Sequence, residues 1–329
     1  MPSPERRARR LALAAAFAGL AGCVSHVRGE TQAEFDACLS RLQPAAQKAG
    51  VQPASFERFT RGTRADFTVI EKLNYQPEFK LPIWDYLAGL VDDERVADGK
   101  AMLAQYRAVL EKVDAAYGVD PATVVAVWGV ESNYGRITGK YPLVEALGTL
   151  SCFGRRQDYF RGEFFAALRI LQRGDIAPER LYGSWAGAFG HTQFMPATYE
   201  RLAVDFDGDG RRDLVDNSAD ALASTANFLR RGGWQTGQPW GFEVRLPAGF
   251  DASLAGRKQK RPLADWAALG VVAVDGSPLA RSGLTGGDKT AILLPAGARG
   301  PAFVVTRNFD VIYGYNAAES YALAIAHLA

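Results

Sequence analysis

The run from Val124 to Gly135 reads Val-Val-Ala-Val-Trp-Gly-Val-Glu-Ser-Asn-Tyr-Gly, an apolar stretch that stops on a single carboxylate. Residues this apolar must be buried, so whatever the rest of the chain forms has to enclose them. As a helix, the run puts Val124, Val127, Trp128 and Glu131 at the i, i+3, i+4, i+7 spacing, and the carboxylate continues a core-facing stripe. Asp120-Pro121 offers an N-cap followed by proline at the first helical position, and Gly135 offers a C-cap, which leaves Glu131 in the last turn. Desolvation and the negative end of the helix dipole both disfavour an ionised carboxylate there, and a carboxyl whose pKa is raised in this way is a general acid. Two plainer readings fit the same residues: a glutamate on a solvated helix end, or a buried strand rich in valine. The Asp-Pro start favours the helix.

With 329 residues, 48% of them hydrophobic, the chain can bury one large core or two modest ones. Its 38 basic and 36 acidic residues leave a net charge of +2, which carries no nucleic-acid footprint. Arg6, Arg7, Arg9 and Arg10 precede a short apolar run, Leu11 to Gly22, too short to span a bilayer in the usual way. That run ends in Leu20-Ala21-Gly22-Cys23, which resembles the lipobox of bacterial lipoproteins, cleaved before a cysteine that then carries lipid. Residues 1–22 are therefore expected to be a signal peptide, Cys23 the lipidated residue and 23–30 a linker; an uncleaved anchor or a buried cysteine is the plainer alternative. Val24, where inner-membrane lipoproteins typically carry aspartate, favours the periplasmic face of the outer membrane. Two cysteines remain, Cys38 and Cys152, and in an oxidising compartment they are expected to pair, the alternative being two separate buried thiols.

From Thr31 to about Gly118 the pattern is mostly helical, notably over Asp92 to Tyr117, with an aromatic interruption from Phe79 to Trp84. Helical patterns recur at Pro142 to Leu150 and Gln157 to Gln172, followed by a Gly- and aromatic-rich run from Leu181 to Met195. Asn217 to Arg231 reads as a helix stopped by Gly232-Gly233. After Trp234 the character changes: Phe242 to Leu246, Ala291 to Leu294 and Phe303 to Thr306 are strand-like runs divided by Gly and Pro. Ser320 to Leu328 is helical again and is expected to pack back on the helical part. The expected divisions are 31–118 helical, 119–235 catalytic core, 236–310 a small β subdomain and 311–329 a returning segment.

Asp205 to Asp216 has oxygen ligands at loop positions 1, 3 and 5 (Asp205, Asp207, Asp209) and glycine at 6. The Arg211 carbonyl stands at 7, Asp213 at 9 and Asp216 at 12, the spacing of a calcium loop. Aspartate at 12 is short for a bidentate ligand, so Asp220 is an alternative closing acid, and an ion-free Asp/Gly turn is the plainer reading. A structural calcium is expected, and no cofactor for catalysis. His26, His191 and His327 are too scattered for a metalloprotease or zinc pattern. Gly183-Ser184-Trp185-Ala186-Gly187 has its serine one place early for a nucleophile elbow.

Glu131-Ser132-Asn133-Tyr134-Gly135, Gly154-Arg155-Arg156 with Asp158-Tyr159-Phe160, Gly183 to Gly190, Gln193-Phe194-Met195-Pro196 and the acidic loop follow one another in an order that resembles the family of membrane-bound lytic murein transglycosylase B, glycoside hydrolase family 103. The resemblance runs from about Thr31 to the C-terminus. It implies an α+β, mainly α fold: a lysozyme-like helical core with an additional helical region and a small β subdomain. It places the catalytic glutamate on Glu131 and substrate contacts on Ser132, Tyr134, Ser184, Gln193, Phe194, Met195, Tyr315, Asn316 and Tyr321. The substrate it implies is the glycan strand of peptidoglycan, reached from the outer membrane through the lipid anchor.

The implied reaction is non-hydrolytic. Cleaving a β-1,4 glycosidic bond usually takes two carboxylates, yet between Glu131 and Asp158 the only acid is Glu145, in a helical pattern. In the family reaction one glutamate protonates the oxygen between N-acetylmuramic acid and N-acetylglucosamine, then accepts a proton from the C6 hydroxyl as it closes a 1,6-anhydro ring. A hydrolytic muramidase and a non-catalytic peptidoglycan-binding lipoprotein are the competing readings.

Overall fold

The computed structural model describes residues 31–73, 82–281 and 283–329. The expected signal peptide, Cys23, the linker and the Phe79 to Leu81 part of the aromatic interruption lie outside the described residues. The described chain is mainly helical with a small antiparallel sheet.

The helix Pro121–Ser132 begins as its sequence dictates, with the Asp120 carboxylate accepting from the Thr123 amide at 2.9 Å and from its hydroxyl at 2.8 Å. The apolar stripe is only part of its surface: every residue from Thr123 to Gly129 is buried. A helix apolar all round belongs in the middle of a fold. Helices Asp93–Gln105, Arg107–Tyr117, Ser218–Arg231 and Glu319–Leu328 all pack against it. The helical pattern from Asp92 to Tyr117 breaks at Tyr106, which caps one helix and starts the next. Its ring meets Trp128 edge-on at 5.3 Å, so the break falls where the chain bends around the central helix.

A second group of helices forms its own core. Gln32–Lys48, Pro53–Thr60 and Thr68–Lys72 pack with Leu143–Phe153 and Gln157–Arg173, and Phe35, Leu147, Phe164 and Leu168 meet there fully buried. The first of these helices starts with a capping box in which Thr31 and Glu34 satisfy each other's backbone amides. Cys38 and Cys152 form a disulfide that ties it to Leu143–Phe153, with Cα atoms 6.0 Å apart.

The sheet has the spatial order Arg261–Pro262, Lys289–Leu293, Ala302–Val305, Gly241–Arg245, Val272–Ala273, all antiparallel. Side chains alternate along a strand, and here both faces are covered. Ala291, Leu293, Phe303 and Val305 point into the core around the Glu131 helix. Ile292, Ala302, Val304 and Val244 face Trp266 and Leu263 on the other side. The sheet is thus one wall of the helical core, and both helical cores draw on residues from each side of positions 118 and 235.

Candidate active site

The last turn of Pro121–Ser132 is fixed by an unusual C-terminus. The left-handed cap falls on Asn133 (φ 48°) rather than on Gly135, and Tyr134 is left-handed as well (φ 58°). The Asn133 amide donates to the Gly129 carbonyl at 3.0 Å and the Tyr134 amide to that of Trp128 at 3.2 Å. The chain therefore doubles back and lays the Tyr134 ring on the helix at Gly129, where a Cβ would come within 2.7 Å of the ring. The Tyr134 hydroxyl donates to the Arg95 carbonyl at 2.7 Å, and the Arg95 guanidinium donates to the Gly129 carbonyl at 2.6 Å. A cation at a helix C-terminus also answers the dipole.

Glu131 stands at the top of this braced turn. The Tyr321 hydroxyl donates to its Oε1. Burial pushes the carboxyl up to about 7 from an ordinary 4.5, while the Tyr321 hydrogen bond pulls the other way by favouring the carboxylate. Among the described residues no second carboxylate contributes to the shift. Burial, then the Glu131 charge, holds the Tyr321 phenol far above its usual range, so it remains a neutral donor. Tyr315 stacks beside Tyr321 with ring centroids 6.4 Å apart and donates its hydroxyl to the Thr192 carbonyl at 2.8 Å. Phe194 and Phe228 back it at 5.9 and 4.4 Å.

A cavity of about 790 Å³ opens nearby, with Ser184, Met195 and Asn316 on its wall beside Arg155, Arg156, Tyr159 and Trp185. Glu131 is not on that wall; Met195 follows buried Phe194, and Asn316 follows Tyr315, which stacks on the partner of Glu131. Ser184 accepts from the Ala188 amide at 3.0 Å, which shapes the turn that carries it. Gln193 is left-handed (φ 49°), and its amide nitrogen donates to Gly190 and Thr138 carbonyls at 2.8 and 3.1 Å.

Four expected substrate contacts sit behind the surface instead, one of them Tyr321, 2% exposed and bonded to Glu131. Ser132 is 1% exposed, with its hydroxyl donating to the His191 carbonyl at 2.8 Å and accepting from the Gly135 amide at 3.0 Å. Tyr134 and Phe194 are 5% and 2% exposed, the first clamped on Gly129 and the second packed on Tyr315. Neither leaves a face for a sugar. Arg155, Arg156, Tyr159 and Trp185 line the same cavity and have no role assigned by the sequence pattern. The signal was present in the first three, because Arg156 stacks over the exposed ring of Tyr159 at 4.4 Å and the two arginines precede that tyrosine within one helical turn.

In the acidic loop Asp205, Asp207 and Asp209 each bring one oxygen within 4.8 Å of the others. All three also accept from backbone amides of the loop, as do other acids of the expected set from their surroundings. Asp213 accepts from the Val215 and Asp216 amides, both at 2.9 Å, and Asp216 turns outward to pair with Arg180. The Arg211 guanidinium lies on Asp209 at 3.1 Å. Asp220 is fully buried and accepts from the Phe206 and Asp213 amides at 2.7 and 2.8 Å. Burial raises its pKa, and the Asp207 and Asp205 charges add to that. Asp216 and Asp220, the two candidate closing acids, thus stand differently, Asp216 paired with Arg180 at the surface and Asp220 buried against the loop. The donor set fits a hard divalent cation, with three converging carboxylates and a fourth pressed by their charge.

Residues 34–329 match the family of the transglycosylase SLT domain. The chain is 34% identical over 251 residues to membrane-bound lytic murein transglycosylase B of Escherichia coli (strain K12), an alignment that covers 74% of this chain and 65% of that protein, under two thirds of its length. It is similar to SltB3 of Pseudomonas aeruginosa, solved in complex with NAG-anhNAM-pentapeptide, at 49% identity and a TM-score of 0.86, over 89% of this chain and 78% of that one. Escherichia coli Slt35, solved in complex with calcium, is similar at 28% identity and a TM-score of 0.74, over 91% of this chain and 92% of that one.

Proposed function

The chain belongs to the transglycosylase SLT domain family, and we propose that it is a lytic transglycosylase that cleaves the β-1,4 bond between N-acetylmuramic acid and N-acetylglucosamine in peptidoglycan. One observation carries the reading: Glu131 is a carboxyl pushed up to about 7, with a phenol as its hydrogen-bond partner and, among the described residues, no second carboxylate acting on it. Hydrolysis by either usual route takes two carboxylates. A single one serves twice if the substrate supplies its own nucleophile. Protonated Glu131 gives its proton to the bridging oxygen, and the carboxylate left behind is held by Tyr321. That carboxylate takes the proton of the muramoyl C6 hydroxyl as its oxygen closes on C1, and the site returns to its starting state. Ser184, Gln193, Met195 and Asn316 are the groups proposed to orient the sugars, with the half-buried Tyr315 ring as the wall and Tyr321 behind it holding Glu131. The test is the new glycan end in digests of purified sacculi, where 1,6-anhydromuramoyl ends support the reading and free reducing ends defeat it.

The calcium proposal rests on the convergence of Asp205, Asp207 and Asp209 and on the crowding of Asp220, with the calcium complex of Slt35 in its favour. Bound there, a calcium ion would supply a structural brace and no part of the chemistry. A chelator is expected to lower the melting temperature and added calcium to restore it; at a hundredfold excess over Kd the stabilisation is about 2.7 kcal/mol. Identical melting curves with and without chelator would leave only an acidic turn.

Anchoring at the outer membrane through Cys23 is proposed on the lipobox-like Leu20-Ala21-Gly22-Cys23, and the E. coli relative is named as membrane-bound. Among the described residues no helix is long and apolar enough to cross a membrane. Metabolic labelling with palmitate should mark the parent chain and not Cys23→Ala; equal labelling of the two rejects the anchor.

A further inference from the structure

The loop between Phe189 and Met195 touches three separate parts of the molecule, and His191 is where they meet. Its backbone amide donates to the Leu214 carbonyl, at the end of the acidic loop, at 2.8 Å. Its carbonyl accepts from Ser132, the residue after Glu131, at 2.8 Å. Its ring stacks on Trp128, one turn before Glu131, with centroids 5.6 Å apart and planes 19° from parallel. The Gly135 backbone also packs on the half-buried ring, where a Cβ would come within 2.7 Å of Cε1 and Nε2. The neighbouring glycine is equally constrained, for a Cβ on Gly190 would meet the Leu214 carbonyl at 2.5 Å.

We infer that His191 is a positioning residue for Glu131: its ring fills the space under the last turn of the catalytic helix, and its backbone joins that turn to the acidic loop. The inference rests on the proposed role of Glu131 and goes beyond it by assigning that work to the ring face. Nδ1 is buried with no hydrogen-bond partner among the described residues, so that nitrogen holds nothing in place. A buried polar atom without a partner costs stability. Position 191 therefore needs a flat ring of this size, and a hydrocarbon ring meets that need. Without the ring, water gains the underside of the last turn, and the burial that holds the Glu131 carboxyl up is partly undone. Among the described residues, the groups that act on that carboxyl or on its partner are phenols: Tyr321 bonds to it, and Tyr315 and Tyr86 act on Tyr321.

The experiment compares His191→Ala and His191→Phe in the full chain by two readouts, kinetics on a purified glycan strand and the titration of carbon-13-labelled Glu131 followed by NMR. For His191→Ala, kcat is expected to fall about tenfold to a hundredfold, since a displacement of about 1 Å carries a cost of that order. KM should change by less than about twofold, and both the alkaline limb of kcat and the Glu131 titration should move down by roughly one pH unit. His191→Phe is expected to restore both the rate and the titration, with a melting temperature no lower than that of the parent. If the alanine variant fails to fold, His191→Gln, which keeps bulk and polarity but not the ring face, takes its place. The inference is overturned if the ring-less variant is merely less stable while its limb and titration stay put, or if the phenylalanine variant loses as much as the alanine one. The NMR titration needs no turnover, so it reads the positioning role even if the proposed reaction fails.

Discussion

Glu131→Gln is expected to abolish turnover while making the folded protein more stable above neutral pH. Loss of a general acid that also serves as the base should cost about a thousandfold or more in rate. The stability effect follows from the raised pKa. The carboxyl ionises near 4.5 in the unfolded chain and near 7 in the native one, so between those values the native state holds a proton the unfolded state has released. The stability that the glutamate contributes is fully present below about 4.5 and is lost as pH rises through 7. Glutamine cannot ionise and still accepts from Tyr321. The variant and its parent should therefore be nearly equal in stability near pH 4 and diverge to about 3 kcal/mol in favour of the variant at pH 8, at ~1.4 kcal/mol per pKa unit. Denaturant melts at several pH values measure this directly. A constant offset across that range would show that Glu131 is not held protonated by the fold.

The second large effect is on the far side of the molecule. The Cys38–Cys152 bridge closes a loop of 114 residues, and in the chain-entropy model removing such a cross-link costs about 4 to 5 kcal/mol. The double variant Cys38→Ala/Cys152→Ala should lose about that much in denaturant melts, roughly 10 °C in Tm for a protein of this size. Its kcat under conditions where it stays folded should be close to that of the parent. The separation has a structural reason: the bridge sits in the core of the N-terminal helices, whereas Glu131 belongs to the core shared with the sheet and the C-terminal helix. A loss below about 1 kcal/mol, or two free thiols in the unreduced, denatured protein, contradicts the bridge as a stabilising element.

What the sequence revealed divides along one line, between local pattern and long-range partner. The Asp120-Pro121 start, the carboxylate ending the apolar run and the three strand-like runs after Trp234 are local signals, and each element stands within a few residues of where its pattern put it. Burial on every side of the Glu131 helix was not legible, because a stripe at helical spacing reports one face and the others are covered by helices distant in sequence. Tyr321 lies 190 residues from the glutamate it bonds, so spacing could not pair them. Asp216 matches a ligand position by count, and its pairing with Arg180, from another segment, has no signal in that spacing. Ser132, Tyr134 and Phe194 sit inside motifs that read as cleft, and each is turned inward: Ser132 by its bond to His191, Tyr134 by the positive φ that follows the helix, Phe194 by its packing on Tyr315.

In the proposed reaction one carboxyl suffices because the substrate attacks itself. Digesting purified sacculi in heavy-oxygen water and weighing the released glycans tests it most directly. A transglycosylase incorporates no solvent oxygen, so every new muramoyl end should be the 1,6-anhydro form, one water lighter than a reducing end and without label. New reducing ends carrying one heavy oxygen each would mean that water reaches C1, and that Glu131 works with a second catalytic group.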